Sequence, residues 1–583
     1  MGAVENIITD NLPIWSSALQ SKSSAGRGTS SKGNLYGVKK LRELVLDLAV
    51  RGLLVPQDQN DEPASVLLEK IAAEKEKLIH QGEIKKQRID PLTEDDLGQA
   101  RIPKGWCLTR LINVYDVRDG THDSPKYQST GFPLVTSKNL SSGQLNLDNV
   151  KFISRQDHEK ICQRSKVDKG DILFAMIGSI GNAALVDIEP EFSIKNVALF
   201  KYYNAEYSCP SFLLRFLSFA EQQFKAESSG AVQSFVSLGK LRSFLIALPP
   251  LPEQHRIVAK VDELMALCDT LEQQQEDSIQ AHETLVEALL EALTSAADAD
   301  AFQAAWQRIS EHFDVLFTTQ HSIDKLKETI LQLAVMGKLV PQDPKDEPAS
   351  IFLEKIASER ELLIKKGKVK NQAILPEIKN EPFSSPLGWR FCRLNNLVVR
   401  LGSGSTPRGG KSAYKQKGIP FLRSQNVWND GLHLDDIAFI SEETHESMSN
   451  THVYPDDILL NITGASLGRS TIFPKELKTA NVSQHVTIIR LINLKMGPFL
   501  HCLILSPYVQ KLVWARQVGM AIEGLSKKVL EQFEIPVPPL AEQYRIVARV
   551  DELMALCDQL KESLQQAQQT QIHLTDAVVE NAL

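Results

Sequence analysis

Twenty-four residues beginning at Leu248, LPPLPEQHRIVAKVDELMALCDTL, return at Val537 as VPPLAEQYRIVARVDELMALCDQL with 19 positions identical. Each copy opens as a proline-rich extended strip and passes at once into a helical pattern. Proline fixes φ and disfavours helix upstream, whereas Pro252 suits a first helical turn. After Ile257 the apolar residues Val261, Leu264, Cys268 and Leu271 follow a 4-3-4-3 spacing, repeated by Ile546, Val550, Leu553, Cys557 and Leu560. That seam predicts long helices that pack along partner helices. Two such rods, each closing an equivalent block, divide the chain into two half-molecules.

A second repeat fixes the start of each half. LRELVLDLAVRGLLVPQDQNDEPASVLLEKIA (41–72) returns as LKETILQLAVMGKLVPQDPKDEPASIFLEKIA (326–357), with 22 of 32 positions identical. Each copy reads as a helix, a stop at Gly52 or Gly337, a PQD turn and a second helix. Upstream, Ile7 to Leu19 is one helical candidate containing Trp15, weakly echoed by AFQAAWQRISEHFDVL (301–316). Residues 21–34 have the Gly, Ser and charge of a linker.

After Gly105-Trp106 and Gly388-Trp389 the period changes. FPLVTS (132–137) and IPFLRS (419–424), VKFIS (150–154) and IAFIS (437–441), and GDILFAMIG (170–178) and DDILLNITG (456–464) read as paired strands at an offset of about 287. Helices follow near Ser211–Phe224 and Gly497–Arg516. Identity fades inside these blocks while the frame persists, as for one fold given two different surfaces. The division is 1–37 (helix and linker), 38–103 (helical), 104–251 (first variable domain), 252–387 (rod and second helix pair), 388–540 (second variable domain) and 541–583 (final helix).

At 583 residues the chain exceeds one core. It has no apolar run of transmembrane length, and MGAVENIITD lacks the features of a secretory signal. Seven cysteines without a CxxC pair fit a reducing cytoplasm better than disulfides or zinc. The net charge of −7 is unevenly placed. Glu253 to Ser295 holds ten acidic residues against two basic ones; Lys104–Pro250 has 17 Lys and Arg against 14 Asp and Glu, and Gly388–Val537 has 17 against 12. Acidic rods alternate with mildly basic domains, so an acidic whole chain does not exclude nucleic acid.

Catalytic motifs are missing from the sequence. The run 404–412 imitates a phosphate-binding P-loop, but the position five before Gly410 is Ser405, where that motif needs glycine. A basic loop that approaches a phosphate, or a plain surface loop, fits better. Leu248-Pro249-Pro250-Leu251 and Val537-Pro538-Pro539-Leu540 lack the polar first and aromatic last residues of an adenine-methyltransferase strip. No HExxH and no cluster of metal ligands stands out.

Residues suited to reading base edges lie in both blocks. Candidates are Lys138, Asn139, Lys195, Asn196, Gln233 and Ser234 in the first, and Arg423, Gln425, Asn426, Arg469, Gln484, His485, Lys527 and Lys528 in the second, with Ser526 beside them. Arg and Lys can pair guanine, Asn and Gln adenine. Ser405, Thr406, Arg408 and Lys411 are the candidates for phosphate contact.

The chain resembles the specificity (S) subunits of type I restriction–modification enzymes. The resemblance rests on LPPLPEQHRIV and VPPLAEQYRIV, the GW openers, the GDIL and DDIL strands, the Gly-Ser-Thr-Pro run at 404–407 and the LAVxGxLVPQDxxDEPA segments at 48–64 and 333–349. It implies a mixed α/β (α+β) protein with an internal pseudo-twofold repeat. Two tandem target-recognition domains, separated by long helices forming an antiparallel coiled coil, would read an asymmetric, interrupted site in double-stranded DNA. Two methylase and two restriction subunits would carry S-adenosylmethionine, ATP and Mg²⁺, leaving this chain without catalysis, cofactor, metal or membrane contact. The first block reads Gly120-Thr121-His122-Asp123-Ser124-Pro125 where the second has GSTP, which leaves that loop's role in the first block open.

A rod on the order of 65 Å long, at about 1.5 Å per residue, can hold two readers ~34 Å apart, one DNA turn. The alternatives are a stand-alone DNA-binding or architectural protein, against which the surplus partner surface counts, and a nuclease, against which the missing motifs count.

Overall fold

A computed structural model describes residues 3–20, 34–88, 91–99, 102–140, 144–228, 235–369, 375–376, 378–517 and 524–583. Its contacts separate Met1–Ser278 with Ala567–Leu583 from Ile279–Gln566. Nearly all of the expected linker, 21–33, lies outside the described residues.

The first unit opens with α1 (Ala3–Asp10) and α2 (Leu12–Ser17), followed by α3 (Tyr36–Val50) and α4 (Ala64–His80). The single helix expected over Ile7–Leu19 is thus two, because Pro13 occupies the first turn of a new helix after Asn11. The first variable domain contains β1 (Cys107–Arg110), β2 (Tyr115–Asp119), β3 (Phe132–Val135), β4 (Lys151–Ile153), α5 (Arg155–Ser165), β5 (Ile172–Ala175), β6 (Gly181–Leu185), β7 (Ser193–Ile194), β8 (Val197–Tyr202), α6 (Pro210–Ser228) and β9 (Leu245–Leu248). The order β2-β8-β5-β6 forms an antiparallel sheet. A second sheet has the order β4-β3-β7, with β3 parallel to β7. The domain closes where its last strand pairs with its first, Leu248 opposite Cys107. The next helix, α7 (Leu251–Ser295), is the predicted rod.

The second unit repeats this order. It contains α8 (Ala299–Glu311), α9 (Gln320–Val335), α10 (Ala349–Lys365), β10 (Arg390–Arg393), β11 (Val398–Ser403), β12 (Ile419–Leu422), β13 (Ala438–Ile440), α11 (Glu442–Ser447), β14 (His452–Val453), β15 (Ile458–Asn461), β16 (Ser470–Ile472), β17 (Ala480–Val482), β18 (Val486–Leu491), α12 (Gly497–Leu505), α13 (Pro507–Ala515), β19 (Glu534–Val537) and, as far as Gln566, α14 (Leu540–Ala582). Its sheets run β11-β18-β15-β16 and β13-β12-β17-β14, and β19 pairs with β10. The helix expected over Gly497–Arg516 breaks where Ser506 caps a new one beginning at Pro507. Trp306 is no counterpart of Trp15: Trp15 is fully buried, Trp306 is 42% exposed.

The rods enter the two units in opposite order. Ile257, Val261, Leu264 and Cys268 of α7 share the first core with Val578 and Val579 of α14. Val286, Leu290 and Leu293 of α7 share the second with Ile546, Val550 and Cys557 of α14. The start of α7 thus shares a core with the end of α14 and the end of α7 with the start of α14, the antiparallel order that the resemblance implies. Burial pushes the Cys268 thiol up to about 11, as befits a packing residue.

Three duplicated contacts explain the repeated motifs. Gly52 and Gly337 end α3 and α9 at φ +69°, with Leu53 N–H donating to Leu48 O and Lys338 N–H to Leu333 O, each at 2.9 Å. A side chain on either glycine would strike the proline and tryptophan of the GW segment, Pro103 and Trp106 or Pro386 and Trp389. Gly105 O and Gly388 O accept from Ala64 N and Ala349 N at 2.9 Å, satisfying the starts of α4 and α10. Finally, Asp171 and Asp457 of GDIL and DDIL are buried and paired. Lys201 Nζ reaches Asp171 Oδ2 at 2.5 Å, and Arg490 grips Asp457 through two contacts of 2.7 Å. Burial pushes the Asp171 carboxyl up against the pull of Lys201. In both domains the motif holds the sheet together.

Candidate nucleic-acid interface

The loop that leaves β2 is pinned by its backbone. Gly120 N donates to Val197 O at 2.9 Å and Thr121 N to Ile194 O at 3.0 Å. In the second unit Gly404 N donates to Val486 O at 3.0 Å and Ser405 N to Val482 O at 3.2 Å. A side chain on either glycine would overlap a carbonyl, of Ile194 or of Val482. The first block's Gly120-Thr121 is therefore the structural twin of Gly404-Ser405, which resolves the departure noted in the sequence.

On this shared frame the side chains differ. In the first domain His122 bridges Asn196 Oδ1, 3.1 Å from its Nδ1, and Asp119 Oδ2, 2.9 Å from its Nε2. Arg164 holds the other Asp119 oxygen, and Lys195 Nζ donates to Ser124 Oγ at 2.6 Å. In the second domain the Thr406 hydroxyl meets the Gln484 amide, and His485 Nδ1 lies 2.6 Å from Thr463 Oγ1. Thr463 also bridges to Gly524. Ser405, Thr406, Gln484 and His485 are thus brought together, as are Lys195 and Asn196.

The structure corrects the reading of several candidates. Asn139 and Asn426 were expected at base edges, yet both are buried. Asn139 Oδ1 accepts from Thr136 N at 2.9 Å and its amide donates to Asn146 O at 3.1 Å; Asn426 accepts from Arg423 N at 3.0 Å and donates to His433 O at 2.9 Å. These twins close a loop and present no free edge. Arg423 and Gln425 are both held by Asp436, at 2.5 Å through its carbonyl and 2.6 Å through its carboxylate. Arg469 lies 3.7 Å over the Trp428 ring, which stacks in turn on His433.

Lys138 and Arg408 are exposed, as are Lys527 and Lys528, where Lys527 lies 3.4 Å from Glu531. Gln233 and Ser234 lie outside the described residues, and the Lys411 side chain is likewise not described. The sequence reading missed His122, Asp119, Arg164 and Thr463. The sequence comparison sets Gly120-Thr121-His122 opposite the Gly-Ser-Thr run at 404–406 without making His122 a candidate. Among the described residues no group of acidic, Cys and His side chains could hold a metal ion, and no helix is long and apolar enough to cross a membrane.

Comparison with known proteins matches this duplicated frame to one family. The model described as "Type I restriction modification DNA specificity domain" matches residues 103–281 and 386–569. The specificity subunit of the Escherichia coli type I restriction enzyme EcoAI is 36% identical, covering all of both chains, and that of EcoEI is 37% identical over the same shares. A solved HsdS subunit from Thermoanaerobacter tengcongensis is 21% identical and covers 83% of this chain and 98% of its own, with a TM-score of 0.36. Matched twice and related end to end, this chain belongs to the specificity subunits of type I restriction–modification enzymes, with two recognition domains.

Proposed function

We propose that the two domains each read one half of an asymmetric, interrupted site in double-stranded DNA. The observation that carries this reading is a common backbone frame bearing different side chains. His122 against Asn196 in one domain stands where Thr406 against Gln484 stands in the other. One scaffold with two unlike reading rims gives two unlike half-sites, since base identity is read by side chains at base edges while phosphate contacts set register. The reading residues we assign are Lys195 and Asn196 in the first domain and Thr406, Gln484 and His485 in the second.

The rods serve as spacer and as docking surface for two methylase and two restriction subunits. Chemistry belongs to those partners, which would bring S-adenosylmethionine, ATP and Mg²⁺. This chain supplies address, not reaction, in the cytoplasm where the DNA is. The test is co-expression with a type I methylase subunit from the same host, followed by purification and sequencing of methylated host DNA. A stable complex that methylates one bipartite sequence supports the reading. A chain that binds no methylase contradicts it and favours a stand-alone DNA-binding protein.

A further inference from the structure

The loop that begins at each reading rim ends against the start of a strand and helix, and there the two domains exchange charge between neighbouring elements. The equivalence is fixed by backbone contacts. Gln128 N donates to Phe152 O at 2.9 Å and Lys415 N to Phe439 O at 2.8 Å. Pro133 lies opposite Phe152 in one domain and Pro420 opposite Phe439 in the other. Ser154 and Ser441 then cap α5 and α11, accepting from Asp157 N and Thr444 N. Gln128 therefore matches Lys415, Thr130 matches Lys417, Lys151 matches Ala438 and Arg155 matches Glu442.

At these positions the first domain places its cations on β4 and α5, as Lys151 and Arg155, while Gln128 and Thr130 are neutral and the loop's own cation is Lys126, two residues earlier. Lys151 Nζ lies 4.6 Å from the Tyr127 ring and the Arg155 guanidinium 5.7 Å from the Phe132 ring. The second domain places its cations on the loop, as Lys415 and Lys417, while Ala438 and Glu442 stand where Lys151 and Arg155 were. All four cations are exposed. Each domain thus keeps a pair of cations at this junction on different elements, and in the second domain Glu442 and Glu443 open α11.

We propose that this place is a backbone clamp: in each domain two cations at the junction of loop and helix hold phosphates of the DNA beside the half-site being read. The proposal rests on the DNA-reading function above. A positive charge maintained at one place by different residues suits a partner with uniform negative charge and no sequence, which is the phosphate backbone. Ring faces under Lys151 and Arg155 orient those side chains without neutralising them.

The test measures binding of the full chain, in complex with its methylase, to a duplex carrying the methylated sequence across a salt series. K151A/R155A should lower the magnitude of the slope of log affinity against log salt by roughly 1–2, at about 0.9 per phosphate contact. It should leave the preferred sequence unchanged, and adding Q128K/T130K should restore the slope from the other element. K415Q/K417T in the second domain should act likewise, with restoration by E442R. Unchanged slopes in both domains, or a loss that the relocated cations do not restore, overturn the clamp while wild-type sequence preference leaves the reading function intact. Impaired methylase assembly with unchanged DNA slopes would instead place an acidic protein surface there and also overturn it. A wild-type complex without sequence preference would sink the DNA-reading function itself.

Discussion

Arg256 Nη2 lies 2.6 Å from Asp61 Oδ2, and Arg545 Nη2 meets Asp346 Oδ2 at the same distance. Each pair joins the two most repeated segments of its half, DEPA to EQxRIV, and so ties the helix pair to the rod. In a double-mutant cycle, Asp61→Asn and Arg256→Gln should couple by about 0.5–1 kcal/mol at low salt and less at high salt, because the arginine is over a third exposed. Additive effects at low salt would show the pair to be idle.

Gly120 and Gly404 allow each loop to touch the strand beside it. Gly404→Ala forces its new methyl into the Val482 carbonyl, so the loop must move and carry Thr406 away from Gln484. Methylation should fall at least tenfold with the helical content intact by circular dichroism. Normal methylation would show that this loop's position does not matter to reading.

The buried asparagines and the rim residues should part company. Asn426→Ala leaves Arg423 N and His433 O without their partner, which costs about 1–3 kcal/mol. It should lower the melting temperature and leave the methylated sequence as it was. Gln484→Ala should do the reverse, relaxing the choice of base with little loss of stability. A stable Asn426→Ala protein with altered sequence preference would reverse these assignments.

Glu542 is buried beside Trp389, whose Nε1 donates to it at 3.1 Å. Burial raises its carboxyl above the usual range, opposed by hydrogen bonds from Gln342 and Trp389. The folded unit thus binds this proton more tightly than the unfolded chain. Its stability is fullest below the ordinary glutamate range and falls as pH rises through the raised folded value. Glu542→Gln should accordingly flatten urea stability between pH 4 and pH 7 and stabilise the protein at pH 7. A steeper fall toward pH 7 in the variant would show the charge to be favourable where it sits.

The rods, the glycine stops and the strands were legible because each rests on a local pattern: a 4-3-4-3 seam, a left-handed glycine, a β-branched run. The breaks at Pro13 and Ser506-Pro507 were equally local and were overlooked inside longer apolar periods. The proposed reading rim was only half legible. Gln484 and Lys195 are polar residues at strand ends, which sequence can suggest, but their partners Thr406 and Ser124 lie 78 and 71 positions away. Asn139 and Asn426 look like readers in the sequence, but an amide can satisfy a loop's own backbone as well as an adenine, and here both bond to loop backbone. Only the fold decides which it faces.

If one chain holds two independent readers, either can be exchanged without disturbing the other. The most direct test replaces residues 104–251 with the equivalent block of another family member and sequences the methylated DNA of a host carrying the hybrid. One half of the methylated sequence should change to that of the donor, with the other half kept. A change in both halves, or in neither, would contradict the account.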